Sequence, residues 1–503
     1  MLRRSSLILL AGAMLAPQLI ACGDNRPKVD PPVEGHGPIA AGIMAPLGEP
    51  LPSATPEQLA TFERGMEVMV KRFTVEEGLG PAFNVTFCGS CHEKPTFGGS
   101  AGKYRDFFIA GNRNDEGAFF FANGIDFFDC GTLAQPIEER ERNPPAQSDY
   151  GAISGVVRMY YYGETNTPRP DPKYAAELNV VAKRNPIPFF GVGLIAELDP
   201  DEILSREDPN DEDGDGISGR ANRVGSGDNV FIGRFGLKAQ TDSIEGFIRG
   251  PLYNHLGITS DPLSNEDRAQ LPVDSSDPNA ETALRMVERM HRYAQAAAPG
   301  LPNCDVDDVQ DPELSRDDLF DLISASMLLA APLIEEESEQ AARGREAFDE
   351  ANCGGCHTPR INSPRGLIPV YSDILLHDMG PGLADGLTMA QSTGSEFRTQ
   401  PLWGIAATGP YLHDGRAHTI EEAILWHGGE ATNSRDSYAA ASPEKKEDLL
   451  EFLLSLGGRS QVSPGLLAPG TEVPEAGEAG GPQTDLPIEE AQLFEEGRKF
   501  FDF

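Results

Sequence analysis

Cys88-Gly89-Ser90-Cys91-His92 and Cys353-Gly354-Gly355-Cys356-His357 are the two stretches that decide how this chain is built. Attachment of haem c needs two thiols that add to the two vinyl groups, and a histidine placed next to them so that its ring reaches the iron; Cys-x-x-Cys-His supplies all three. A Cys-x-x-Cys pair could instead hold zinc or cycle as a redox dithiol. Two copies, each followed by His, favour two covalent haem c groups with His92 and His357 as proximal ligands. Because haem would supply much of each unit's interior, the expected fold is mainly α: two cytochrome-c-like domains, each binding one haem c, with long loops and few short strands.

Working outward, Leu59, Phe62, Met66 and Met69 recur at helical spacing before the first motif, and residues 339–350 form a second helical stretch before the other. This repeated order predicts a first haem domain with a long insertion over 56–335 and a second over 336–457. Residues 22–55 and 458–487 are rich in Pro and Gly and read as a tether and a linker. Residues 488–503 read as a short amphipathic C-terminal helix packing back on the body. Its Phe494-Glu495-Glu496-Gly497 echoes Phe62-Glu63-Arg64-Gly65.

At the N-terminus Arg3 and Arg4 precede an apolar run from Leu7 to Leu15, then Leu19-Ile20-Ala21-Cys22. Residues 1–21 are expected to be a lipoprotein signal peptide and Cys22 the lipidated first residue; a plain cleaved signal is the alternative. Either reading places the protein outside the cytoplasm. The first anchors it by lipid to a bacterial membrane, the outer membrane being expected, facing the periplasm. No later stretch reaches the run of about 18 apolar residues that a spanning helix requires. Of the seven cysteines, Cys130 and Cys304 are left over. An oxidising compartment tends to close such a pair into a disulfide, the alternative being two separate buried thiols.

The formal net charge is −38, with 79 Asp and Glu against 41 Lys and Arg. Such a surface repels phosphate backbones and anionic lipids, so nucleic-acid binding is excluded, whereas a basic redox protein would be attracted. There is no nucleophile elbow and no Walker-type loop. Asp211-x-Asp213-x-Asp215-Gly216 has the ligand and turn-glycine spacing of a calcium loop, with Asn222 where the bidentate Glu usually stands.

What sits opposite each proximal histidine decides between carrier and enzyme, because an iron with two protein ligands exchanges electrons and one with an open face binds an oxidant. Seven other histidines are available: His36, His255, His291, His377, His413, His418 and His427. Gly409-Pro410-Tyr411-Leu412-His413-Asp414-Gly415, followed by Thr419-Ile420-Glu421-Glu422-Ala423, resembles the signature after the second haem of bacterial di-haem cytochrome c peroxidases. Further stretches resemble the related di-haem oxidoreductase family, often labelled thiol oxidoreductases. They are Gly80-Pro81-Ala82-Phe83-Asn84, Asp213-Gly214-Asp215-Gly216-Ile217-Ser218-Gly219-Arg220, Gly233-Arg234-Phe235-Gly236 and Leu376-His377-Asp378-Met379-Gly380.

The resemblance implies that His427 is the distal ligand of the second haem, at a position where the peroxidases have Met and some relatives Tyr; Met379 is the rival. For the first haem it sets His255 where the peroxidases place a catalytic Glu, and Leu237 where relatives tend to carry an inter-haem Trp. His255 would act as distal acid/base, or would bind the iron and close it. The resemblance also implies a calcium ion between the domains, held by Asn185 and the carbonyls of Thr408 and Pro410. The function implied is peroxidase-like: a small redox protein or other donor reduces the His357 haem, and peroxide or a related oxidant is reduced at the His92 haem. The alternative is a non-catalytic di-haem carrier with both irons six-coordinate. A redox maturation factor follows only from superfamily analogy.

Overall fold

The computed structural model describes residues 38–80, 82–121, 155–157, 160–161, 178–226, 229–273, 309–310 and 312–459. Cys22, Cys130, Cys304, the signal peptide and the C-terminal helix expected at 488–503 lie outside them.

Helix exceeds strand among the described residues, and the strands are short, paired in five two-stranded ladders and one three-stranded sheet. The helices that organise the chain are α1 (Pro56–Val70), α2 (Ile244–Pro251), α3 (Arg316–Leu328), α4 (Glu339–Glu350), α5 (Ile420–Trp426), α6 (Thr432–Ala440) and α7 (Pro443–Ser455). All but α6 begin at a side-chain cap. Thr55 and Gln58 close a capping box over α1, and Thr419 and Glu422 close another over α5. Ser315, Ser338 and Ser442 cap α3, α4 and α7. These side chains satisfy N–H groups that a helix leaves without partners at its start.

The repeat expected from the motifs is built as two helix pairs. The helix before each motif packs on a later one, α1 on α3 and α4 on α7. Both crossings use the same two adjacent residues. Gly65 lies so close to α3 that a Cβ there would sit 2.1 Å from the Asp321 carbonyl oxygen, and one at Gly344 would sit 1.9 Å from that of Asp448. Beside them, Arg64 grips the Asp321 carboxylate at 2.7 and 2.8 Å, and Arg343 grips Asp448 at 2.8 and 2.9 Å. Gly344→Ala is expected to push α4 and α7 apart and to cost about 3 kcal/mol, the upper part of the range for overpacking. The measurement is the thermal midpoint of the holoprotein, and an unchanged midpoint would show that the helices part freely.

Two cores result. The larger gathers Ile43, Leu47, Phe62, Leu194, Leu252 and Leu322, and the smaller gathers Phe348, Ile420, Tyr438, Leu449 and Phe452. The larger core also takes Ile361, Ile368, Ile374 and Trp403 from beyond residue 335. The boundary at 335/336 thus separates the helix pairs but not the apolar interiors. Nor does the folded body wait for Pro56, where composition placed its start. Met44–Ala45 pairs in parallel with Ala331–Pro332, and Ala40, Ile43 and Leu51 are buried, so the expected tether joins the core from Ala40 onward. Among the described residues no helix is long and apolar enough to cross a membrane.

Candidate functional site

Both motifs open onto one cavity. It measures about 1420 Å³ and is lined by Cys88, Cys91 and His92 together with Cys353, Cys356 and His357. That is larger than the 300–1,000 Å³ or so of a single small-molecule site. The tight turns at Cys88–Ser90 and Cys353–Gly355 place the residues of each motif: His92 donates its N–H to Gly89 O at 3.2 Å, and His357 to Cys353 O at 3.0 Å. Burial pushes the Cys88 and Cys353 thiols up to about 12 and also raises Cys356, so none is an activated thiolate. The zinc alternative finds no convergence, since among the described residues the only cluster of three metal-ligating side chains is Asp208, Asp211 and Asp213.

The two motif histidines are prepared alike. His92 Nδ1 is 3.1 Å from Gly99 O and His357 Nδ1 is 3.0 Å from Tyr371 O. A carbonyl can only accept, so each Nδ1 carries the proton and each Nε2 keeps its lone pair, the form that binds a metal. Burial lowers both pKa values, His357 to about 4, against the opposing pull of these carbonyls, and for His92 of Ile187 as well. Both rings are therefore neutral at physiological pH.

His427 follows the same pattern. It ends α5, its Nδ1 lies 2.7 Å from Ala423 O, and burial lowers its pKa. It is near enough to His357 to disfavour a proton there. Met379, the rival, also lines the cavity.

His255 differs. It sits in a single π turn, Leu252–Leu256, that follows α2 and ends at Gly257 in the left-handed region (φ 82°). Such turns often mark functional positions. A Cβ on Gly257 would lie 2.2 Å from Gly80 O, so the Gly80–Asn84 strip and the His255 turn are in direct contact. Phe107 packs edge-on against the His255 ring at 4.7 Å. Its Nδ1 faces an amide, Asn84 Nδ2, at 3.0 Å.

Leu237 lines the cavity, as do the aromatic Phe397 and Trp403. Phe397 stacks on His413 at 4.4 Å and 19°. Buried Arg398 reaches the same wall, hydrogen-bonding Gly236 O at 2.9 Å and Gln400 Oε1 at 2.8 Å, both neutral. Burial lowers its pKa to about 10 while the nearby Asp373 carboxylate opposes this, so it remains a cation. Sequence reasoning passed over Arg398, because nothing local marks it as buried. It also left His377 unassigned. That ring lies 3.5 Å from Cys356 Sγ and is gripped at 2.8 Å by both Asp373 and Glu430. Burial disfavours its charge, but Asp373 and the other partners hold its pKa well above the usual value.

The calcium candidates are only partly assembled as expected. Asp208 replaces Asp215 in the acidic cluster with Asp211 and Asp213. Asp215 turns away, accepting from Ile217 N at 2.8 Å and Asn352 Nδ2 at 3.2 Å. Asn222 is buried and bonded to Lys238 O at 2.7 Å and Met389 O at 3.0 Å, so it does not close the loop. Asn185, Thr408 and Pro410 do share one cavity wall. The Asn185 amide donates to Ala101 O at 3.2 Å and Asp106 Oδ1 at 2.9 Å, and its backbone N–H to His413 O at 3.0 Å. Its side-chain oxygen is the donor that could serve a cation there.

Residues 173–456 match the family described as "Di-haem oxidoreductase, putative peroxidase". A curated relative, cytochrome c551 peroxidase of Pseudomonas aeruginosa, is 28% identical over 139 residues, which are 26% of this chain and 38% of that protein. The match thus spans well under half of that relative's length. Among solved structures, a MauG-like protein associated with microbial copper homeostasis is 23% identical, covering 35% of this chain and 68% of that one, with a TM-score of 0.23. A variant of the diheme peroxidase BthA from Burkholderia thailandensis is 15% identical, covering 86% and 89%, with a TM-score of 0.32.

Proposed function

This chain belongs to the di-haem oxidoreductase family, and from that premise we propose that it is a peroxidase-like enzyme of the periplasm, anchored by lipid at Cys22. It would take electrons at the His357 site and reduce peroxide or a related oxidant at the His92 site. The observation that carries this reading is the single cavity lined by both motifs, in which His92, His357 and His427 all present a neutral imidazole with the proton on Nδ1. The chain's residues fit the cofactor. Four half-buried free thiols on the cavity wall would serve two covalent attachments, and the buried Arg398 cation would match a haem carboxylate.

Haem iron, when bound, supplies electron transfer and, where one axial face is open, a place for the oxidant to bind. His357 and His427 would hold the second iron from both sides, making that site a carrier. His92 would hold the first from one side, with His255 on the wall of the same cavity. Reduction of hydrogen peroxide to two waters consumes two electrons and two protons. The electrons would come from the external donor by way of the group held at His357 and His427, and His255 would relay the protons. The acidic surface favours a small basic redox protein as donor.

Electron paramagnetic resonance of the oxidised holoprotein, followed by titration with peroxide, tests the reading. One low-spin and one peroxide-sensitive high-spin signal are expected, whereas two low-spin signals indifferent to peroxide would identify an electron carrier instead. His427→Ala is expected to abolish the low-spin signal of the second haem, and Met379→Ala to leave it intact. The reverse result would make Met379 the ligand.

A further inference from the structure

We propose that Asn84 is a positioning residue that fixes the tautomer of His255, placing its ring proton on Nε2, so that His255 serves as a proton donor and not as an iron ligand. The inference rests on the reading of the His92 site as the one that reduces the oxidant. It follows from a contrast between four histidines on one cavity. Three have a backbone carbonyl at Nδ1, which accepts only and leaves Nε2 with its lone pair. His255 has an amide nitrogen there.

The orientation of that amide is settled by its second contact. Asn84 Nδ2 also lies 3.0 Å from Val157 O, a carbonyl that can only accept. Nitrogen must therefore occupy this position, and its other hydrogen points to His255 Nδ1. A donor at Nδ1 requires the ring to offer a lone pair there, so in the neutral ring the proton resides on Nε2. A protonated nitrogen cannot coordinate a metal.

The arrangement is held from both sides. Asn84 is buried, 6% exposed, and the backbone N–H groups of Asn84 and Val85 both reach His255 O, at 2.7 and 3.4 Å. Gly80 N–H donates to Leu256 O at 2.8 Å, tying the strip to the His255 turn a second time. Amide and imidazole thus move as one body.

Reversing the polarity at residue 84 tests this. In Asn84→Asp a carboxylate faces Nδ1 and accepts a hydrogen bond, which draws the ring proton to Nδ1 and returns the lone pair to Nε2, as the carbonyls do for the other three histidines. The oxidised holoprotein is then expected to lose its high-spin signal and gain a second low-spin bis-histidine one. Adding His255→Ala to that variant should restore the high-spin signal. Asn84→Leu, which removes the donor without supplying an acceptor, should convert only part of the population, and it preserves the test if the Asp variant fails to fold. Haem-to-protein ratio reports folding.

Wild-type spin state in whichever of these variants retains its haem would overturn the proposal while the peroxidase reading stands. A wild-type protein whose first haem is low-spin and becomes high-spin in His255→Ala would overturn it too, by showing His255 already bound. Two low-spin signals that survive His255→Ala and ignore peroxide would defeat the peroxidase reading itself, and the proposal with it.

Discussion

Substituting Cys88, Cys91, Cys353 and Cys356 together with alanine is expected to leave a chain that retains no covalent haem and shows no cooperative thermal transition. The cavity holding both motifs has a volume of about 1420 Å³. Leaving so large a space unfilled forfeits the packing of its apolar walls, and an ordinary domain has only about 5–15 kcal/mol of total stability to lose. Water entering from the open side would relieve part of this. It would also wet Phe235, Phe247, Leu322 and Leu449, which line the space. Haem content by pyridine haemochrome and unfolding by circular dichroism decide the matter. A haem-free variant that kept the wild-type midpoint would show that the walls stand without the cofactor.

His255→Ala should lower kcat/KM for hydrogen peroxide by about 10²–10⁴-fold, the contribution usual for a positioned acid/base group. Haem content and the low-spin signal of the second haem should not change, since the ligands proposed for that haem are His357 and His427. Steady-state turnover with a reduced small cytochrome as donor gives the number. An unaltered kcat/KM would remove His255 from the chemistry and leave proton delivery to another group on the cavity wall.

Much of this site was legible in one dimension. The motif residues and the helix before each were visible because covalent attachment and helix formation are local: two thiols and a histidine within five positions, a cap followed by a stripe of apolar residues. His427 was reachable through its place after the Thr419–Ala423 helix start. The acidic loop expected to hold calcium is assembled differently from its spacing. Spacing alone favours Asp211, Asp213 and Asp215, but the backbone turns Asp215 toward Asn352 and brings Asp208 into the cluster. The extent of the tether was misjudged for a related reason. Ile43, Leu47 and Leu51 lie in a Pro- and Gly-rich stretch with no periodicity, and their burial depends on Ala331–Pro332 and Leu328, nearly 300 residues away.

Residues alone thus give two Cys-x-x-Cys-His motifs, each behind its own helix, in a chain of the di-haem oxidoreductase family. The folded chain adds the protonation of the histidines around them. His92, His357 and His427 receive an acceptor at Nδ1 from the backbone of Gly99, Tyr371 and Ala423. His255 receives a donor from Asn84, 171 positions away. A backbone carbonyl is the same in every residue, and a distant amide gains meaning only by proximity. Neither leaves a mark in the sequence, yet together they set which nitrogen holds the proton, and with it which imidazoles can bind iron.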